Sequence, residues 1–261
     1  MASVRSVLLG AILSLAGAVT AKDPFSSCSS DLPLSCQNTT VIKDTCCFIP
    51  QGQLLLTTFW DYDPAVGPSD EWTIHGLWPD NCDGTYESNC DTSRQYTNIS
   101  DILTSFGEDD TLTYMNSHWI DQDGDGESFW EHEWAKHGTC ISTLDPECYD
   151  DFSAGEEAAA YFAKVVALHK AHPTYEWLSA VDITPDDSKT YELSKIQSAL
   201  NAKHGAEVVV QCEDGNLNGV EYHFNVQGSL QDGKFVAVAP DGSGSECPDK
   251  VKYTPKSGNS N

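Results

Sequence analysis

The chain has 261 residues, 14 lysines and arginines against 40 aspartates and glutamates, a formal charge of −26 and mean hydropathy −0.37. Beyond the N-terminus no stretch is long and apolar enough to span a bilayer, which excludes an integral membrane protein of helical type. The acidity argues against any partner bound through a broad basic surface, nucleic acid included. It leaves room for a small cationic cleft working in an acidic compartment, where carboxylates lose charge and histidines gain it.

In chain order, residues 1–21 read as a signal peptide. Arg5 is followed by an apolar run from Val7 to Leu15 and then by small residues, with cleavage expected after Ala18 or Ala21. Ten cysteines, spread from Cys28 to Cys247, agree with export and predict disulfides. Their spread favours one stapled domain over residues 22–251. Neighbouring Cys46 and Cys47 are poor partners for each other, and the other pairings stay open. Sequons at Asn38 and Asn98 predict glycosylation.

Residues 53–60 read as a buried strand, and residues 72–75 as an alternating one that ends at Gly76. The acidic turn 121–126 begins like a calcium-binding loop, but its twelfth position is His132 rather than glutamate, so it reads as a solvated lead-in. A helix is predicted over 127–137, closed by Gly138 as a C-terminal cap. A stronger one covers 155–171, with acids first and bases last to suit the helix dipole. Another covers 188–203 and stops before Gly205. From Ala206 onward, strand-like runs alternate with turns at 214–215, 218–219 and 232–233. Residues 252–261 read as a flexible tail. Helices and hairpins without β-α-β alternation predict an α+β fold.

Two segments carry chemistry. In Trp72-Thr73-Ile74-His75-Gly76-Leu77-Trp78-Pro79-Asp80, a histidine stands beside a glycine that permits close approach. Trp78, Asp80 and the nearby Tyr86 offer stacking faces and an acceptor, the groups that hold single-stranded bases. The second segment is Phe129-Trp130-Glu131-His132-Glu133-Trp134-Ala135-Lys136-His137-Gly138-Thr139-Cys140. At roughly 100° per residue it puts Phe129, His132, Glu133, Lys136 and His137 on one helix face. Cations for phosphate oxygens and titrating groups for proton transfer suit a phosphodiester. A zinc-protease reading fails because His132 and His137 are five residues apart, not four. His118, His169, His172, His204 and His223 read as structural.

Together the two segments resemble the active-site blocks of the ribonuclease T2 family, and the cysteine pattern extends the likeness to the family's fungal-type members. The resemblance implies a central, mostly antiparallel sheet with helices packed on it. It also implies disulfides Cys28–Cys47, Cys36–Cys82, Cys46–Cys148, Cys90–Cys140 and Cys212–Cys247. His75, Glu133 and His137 take the catalytic positions, His132 and Lys136 the phosphate-binding ones. Trp78, Asp80 and Tyr86 form a primary base site, and Phe129 lines a second. The activity implied is endonucleolytic cleavage of single-stranded RNA with low base specificity, by acid–base transesterification to 2′,3′-cyclic phosphate ends. No cofactor or metal is expected, nor cleavage of DNA, nor a membrane anchor. The expected protein is a monomer, secreted or held in an acidic vacuole. The rival reading is a secreted, disulfide-rich binding or effector protein of the same fold with lost catalysis. The intact set of five ionisable residues argues against it.

Overall fold

The computed structural model describes residues 28–37, 42–242 and 244–257. The expected signal peptide, the Asn38 sequon and the last four residues lie outside these. A sheet in the order β2-β1-β5-β4 organises the chain, with β6 also paired to β5. The strands are β1 (Gln53–Phe59), β2 (Thr73–Asp80), β4 (Val209–Glu213), β5 (Asn216–Gln227) and β6 (Lys234–Ala237), and every pairing is antiparallel. A second, two-stranded sheet joins β3 (Tyr191–Glu192) to β7 (Lys250–Val251).

Among the described residues, six α-helices accompany the strands: α1 (Ile99–Ser105), α2 (Asp109–His118), α3 (Gly126–Lys136), α4 (Glu156–Ala171), α5 (Thr174–Ser179) and α6 (Leu193–His204). Period-two alternation splits the main sheet into two chemically different faces. Leu54, Leu56, Leu77, Val220 and Tyr222 are fully buried in one core with Tyr161, Phe162 and Val165 of α4. The Tyr161 hydroxyl donates to the Leu77 carbonyl at 3.0 Å, fixing α4 to β2. The opposite face carries Trp78, Asp80, Gln53, Leu55, Glu221 and His223. An α+β fold with a mostly antiparallel sheet is therefore what the chain adopts. It is stapled by Cys28–Cys47, Cys36–Cys82, Cys46–Cys148, Cys90–Cys140 and Cys212–Cys247, the same pairs the resemblance implies.

Several local expectations need correction. Strand β2 does not end at Gly76 but runs on to Asp80, with a register shift against β1 between Thr57 and Thr58. Gly138 is not a left-handed cap. His137 ends α3 in a right-handed conformation, and a short 3-10 turn follows at once. Gly138 is needed for another reason: a Cβ there would collide with the Trp134 ring. The Asp214-Gly215 turn forms, both residues having positive φ, whereas Asn218 and Gly219 lie inside β5. Helix α6 starts at Leu193, later than expected, because residues 191–192 pair with β7. Helices α1, α2 and α5 were not expected from the sequence. Helix α2 buries only Thr111 and Met115, too few apolar positions to make a stripe.

The predicted flexible tail is also wrong over residues 252–257. Tyr253 is fully buried, and its hydroxyl accepts from Trp72 Nε1 at 3.0 Å. The Thr254 carbonyl accepts from Trp60 Nε1, and the Lys256 ammonium donates to the carbonyls of Val66 and Glu71. Tyr253, the Thr254 carbonyl and the Lys256 ammonium together anchor a polar, proline-containing stretch.

Candidate active site

His75 reaches the site because β2 bulges. Ile74 pairs with Thr58 and Gly76 with Thr57, so His75 is the extra residue, and its ring leaves the core between buried Ile74 and Leu77. It stands edge-on to Phe59 at 4.5 Å, to Trp78 at 5.1 Å and to Phe129 at 5.3 Å between ring centroids. Helix α3 supplies the opposite wall. It begins where the Asp125 side chain accepts from the Ser128 N–H, and it is anchored by Trp130 and Trp134, whose indoles donate to backbone carbonyls of Trp119 and Arg94.

Glu133 is the centre of the constellation. It is fully buried, with Oε2 accepting from Trp78 Nε1 at 2.8 Å and Oε1 3.5 Å from His75 Nε2. A Cβ on residue 76 would collide with this carboxylate, so Gly76 serves close approach rather than a turn. His137 is buried and stacks on Trp78 at 4.9 Å with the planes 19° apart. Burial is the main influence pulling its proton affinity down, to about 4. The charges of Lys136, His132 and His75 act the same way, and Glu133 opposes them.

From His137 a cleft of about 610 Å³ opens over the polar face of the sheet. Trp78, Asp80, Tyr86 and Lys136 line it together with His137. Glu221 and His223 join them from β5, and Gly242 from the loop after β6. Tyr86 is 62% exposed and hangs over the cleft from the Asp80–Tyr86 bridge, behind the Cys36–Cys82 bond. Burial pushes the Asp80 carboxyl up to about 6. Glu221 and Asp241 push the same way, and His223 pulls back.

The structure thus brings together His75, Trp78, Glu133, His137 and Phe129, with Asp80, Tyr86 and Lys136 along the cleft. His132 is exposed on α3, outside the cleft lining. Phe129 lies across His75 and likewise outside that lining. Asn98 is exposed at the start of α1. Sequence reasoning passed over Glu221 and His223 as cleft residues. Their signal was present: Glu221, His223 and Asn225 alternate with buried Val220, Tyr222, Phe224 and Val226, a strand with a buried polar face. Among the described residues, no group of three or more histidine, cysteine or carboxylate side chains is placed to hold a metal ion.

Residues 51–236 match the family described as the Ribonuclease T2 family. Ribonuclease Trv of Hypocrea rufa is 65% identical over 230 residues, 88% of this chain and 98% of the relative. Ribonuclease T2 of Aspergillus oryzae is 48% identical over 250 residues, 95% and 90% of the two chains. The crystal structure of Actibind, described as a T2 ribonuclease, superposes with a TM-score of 0.86 at 51% identity, covering 90% of this chain and 100% of that one. RNase NT, solved with 5′-AMP, shares the fold at 21% identity and a TM-score of 0.59, over 78% and 98% of the chains. The chain therefore belongs to the Ribonuclease T2 family, in its fungal type, and is an endoribonuclease.

Proposed function

We propose that this endoribonuclease cleaves single-stranded RNA, with low base specificity, by acid–base transesterification at the His75–Glu133–His137 constellation. The observation that carries the reading is the convergence of a bulged strand and a helix on the buried Glu133 carboxylate, at one end of a cleft lined by Trp78 and Asp80.

In this reading His137 takes the proton from the ribose 2′-hydroxyl. The oxygen attacks the adjacent phosphorus, and the bond from phosphorus to the 5′-oxygen breaks. His75 protonates that leaving oxygen, and the product is a 2′,3′-cyclic phosphate. A histidine drawn down to about 4 is neutral at pH 5 and so able to accept a proton there, which supports the base role of His137. Lys136 and the exposed His132 reach the non-bridging oxygens and stabilise the charge of the phosphorane. Glu133, being wholly buried, works through its neighbours by holding the His75 and Trp78 rings. Trp78, Asp80 and Tyr86 take the base on the 5′ side of the scissile bond. Phe129, across His75, takes the base of the leaving nucleoside. The tethered 2′-hydroxyl is already beside its target, so no metal-bound nucleophile is required.

Export fits the ten half-cystines. Among the described residues no helix is long and apolar enough to cross a membrane. We take the mature protein, residues 22 onward, to be a secreted monomer with one catalytic domain, glycosylated at Asn38 and Asn98. An acidic medium suits the titration of Asp80 and His137.

The test is a time course on RNA and on DNA of matched sequence at pH 5, with product ends identified and with EDTA present or absent. RNA alone should be cut, to 2′,3′-cyclic phosphates, at an unchanged rate in EDTA. Cleavage of DNA, or loss of activity in the chelator, overturns the reading.

A further inference from the structure

Away from the cleft, a second cavity of about 330 Å³ opens where the β1–β2 connection, α2, the C-terminal end of α4 and α5 meet. It shares no lining residue with the cleft. Its volume suits a small molecule rather than a polymer. Three aromatic residues form its walls: buried Trp72 and half-buried Tyr114 and Tyr175. Each ring is held in place. The Tyr114 hydroxyl lies 2.9 Å from His169 Nδ1, the Trp72 indole donates to the Tyr253 hydroxyl, and Tyr175 stacks on Trp60 at 6.1 Å. Rings fixed beforehand lose little freedom when a ligand arrives.

The carboxylates of Asp70, Glu71 and Glu176 belong to the same lining. Glu71 is paired with His118. Among the described residues, the carboxylates of Asp70 and Glu176 have no hydrogen-bond or ion-pair partner. Positive groups that could answer them are few. Burial lowers the proton affinity of His169 and His172. The Lys256 ammonium is held by the carbonyls of Val66 and Glu71. That leaves Lys170, whose Nζ lies 4.4 Å from the centroid of the Tyr114 ring. His118 stacks on Tyr114 with centroids 3.9 Å apart and planes 3° apart, which fills one face of the ring. The Lys170 ammonium therefore rests on the other. The chain thus seats one of its own alkylammonium groups on the free face of a lining aromatic, beside unpaired acids.

We propose that this cavity binds a small aliphatic amine: its ammonium takes the place of the Lys170 head on Tyr114, Asp70 and Glu176 balance the charge, and its carbon chain lies along Trp72 and Tyr175. Lys170 is then a built-in competitor that a diffusible amine displaces. The charge of the whole chain, −26, draws such cations toward it. The unpaired acids disfavour a phosphate in the same place, so the cavity is not a further seat for RNA. This site stands apart from the proton transfers at His75 and His137.

The experiment titrates the full chain at pH 5 with cadaverine, an aliphatic diamine, and with pentan-1-ol, an uncharged molecule of the same carbon chain. Calorimetry in about 0.1 M salt reads the binding, with the diffuse charge of the surface screened. Cadaverine should bind at one site per chain, and the alcohol at least about tenfold more weakly. Tyr114→Leu should weaken the amine by at least about fivefold, and Glu176→Gln by at least about threefold. Lys170→Met should tighten it by at least about threefold, and that gain should vanish when Tyr114→Leu is added. A merely structural role for these residues would not tighten binding. Cleavage of a dinucleoside phosphate checks that each variant is folded. If Tyr114→Leu does not fold, the opposite changes in Glu176→Gln and Lys170→Met decide. Many weak sites, equal binding of the alcohol, or an affinity that Lys170→Met leaves unchanged or lowers overturns the proposal.

Discussion

His137 lies on the face of Trp78 with Glu133 in the layer behind, and burial weighs more on its proton affinity than any neighbouring charge. The acid limb of kcat/KM for RNA, which reports the free enzyme, should therefore have its midpoint near 4 rather than at the ordinary histidine value. A pH–rate profile on a dinucleoside phosphate checks this, and a limb centred above 6 removes His137 from the base role. His137→Phe and His75→Phe should each lower kcat by about 10²–10⁴ while the protein stays folded, measured by initial rates and circular dichroism. His75, Glu133 and His137 were legible in the sequence because two short blocks hold them with their immediate neighbours. The buried state of Glu133 was not, since nothing local says that β2 will lie on that side of α3.

At the scale of elements, the bulge in β2 and the small residue that follows it decide whether the two blocks can meet. Gly76→Ala would drive a methyl group into the Glu133 carboxylate. It should lower kcat/KM by at least about tenfold and destabilise the fold by about 1–3 kcal/mol, read from kinetics and urea unfolding. An alanine variant with normal activity would show that the close approach is not needed. The loop that carries the proposed base site has a different support, the bond from Cys36 to Cys82 next to the Asp80–Tyr86 bridge. Replacing both cysteines by alanine should destabilise by about 2–5 kcal/mol and raise KM more than it lowers kcat. Equal changes in the two constants would separate that loop from base binding. Strand β1 and helices α3, α4 and α6 were legible from periodicity and glycine stops, whereas the turn expected at 218–219 lies inside β5. Helix α2 was not legible, because its two buried residues leave no stripe to detect, and the short stripe of α1, Ile99, Ile102 and Leu103, was passed over.

Across the whole molecule, two sets of buried groups oppose each other as pH changes. His169 is pulled down to about 3, first by burial and then by His118 and His172, and His204 is pulled down to about 4. The unfolded chain takes up these protons first, so their contribution to stability falls as pH drops from about 6.5 toward 3 to 4. Asp80 has the opposite sign. Its affinity is raised to about 6, so the folded chain holds that proton longer, and the gain is lost as pH climbs from about 4 to 6. His169→Gln should show a smaller drop in Tm between pH 6.5 and 3.5 than the unmodified protein, in a series of thermal melts. An unaltered slope would show that His169 is not among the groups that set acid stability.

The sequence alone determined the inventory: which side chains can carry protons, which rings are free to stack, and that ten cysteines are there to hold the chain together. These follow from residue identity and short spacing, which local order preserves. Tertiary structure decided what each group faces. Packing β2 on α3 buried Glu133 against Trp78, and the order β2-β1-β5 put His223 on the same sheet face as Trp78, more than a hundred residues away in sequence. Burial of Tyr253 likewise drew in a tail that composition left free. Proton affinities such as those of His137 and Asp80 belong to this second class, because desolvation depends on neighbours that only the folded sheet supplies.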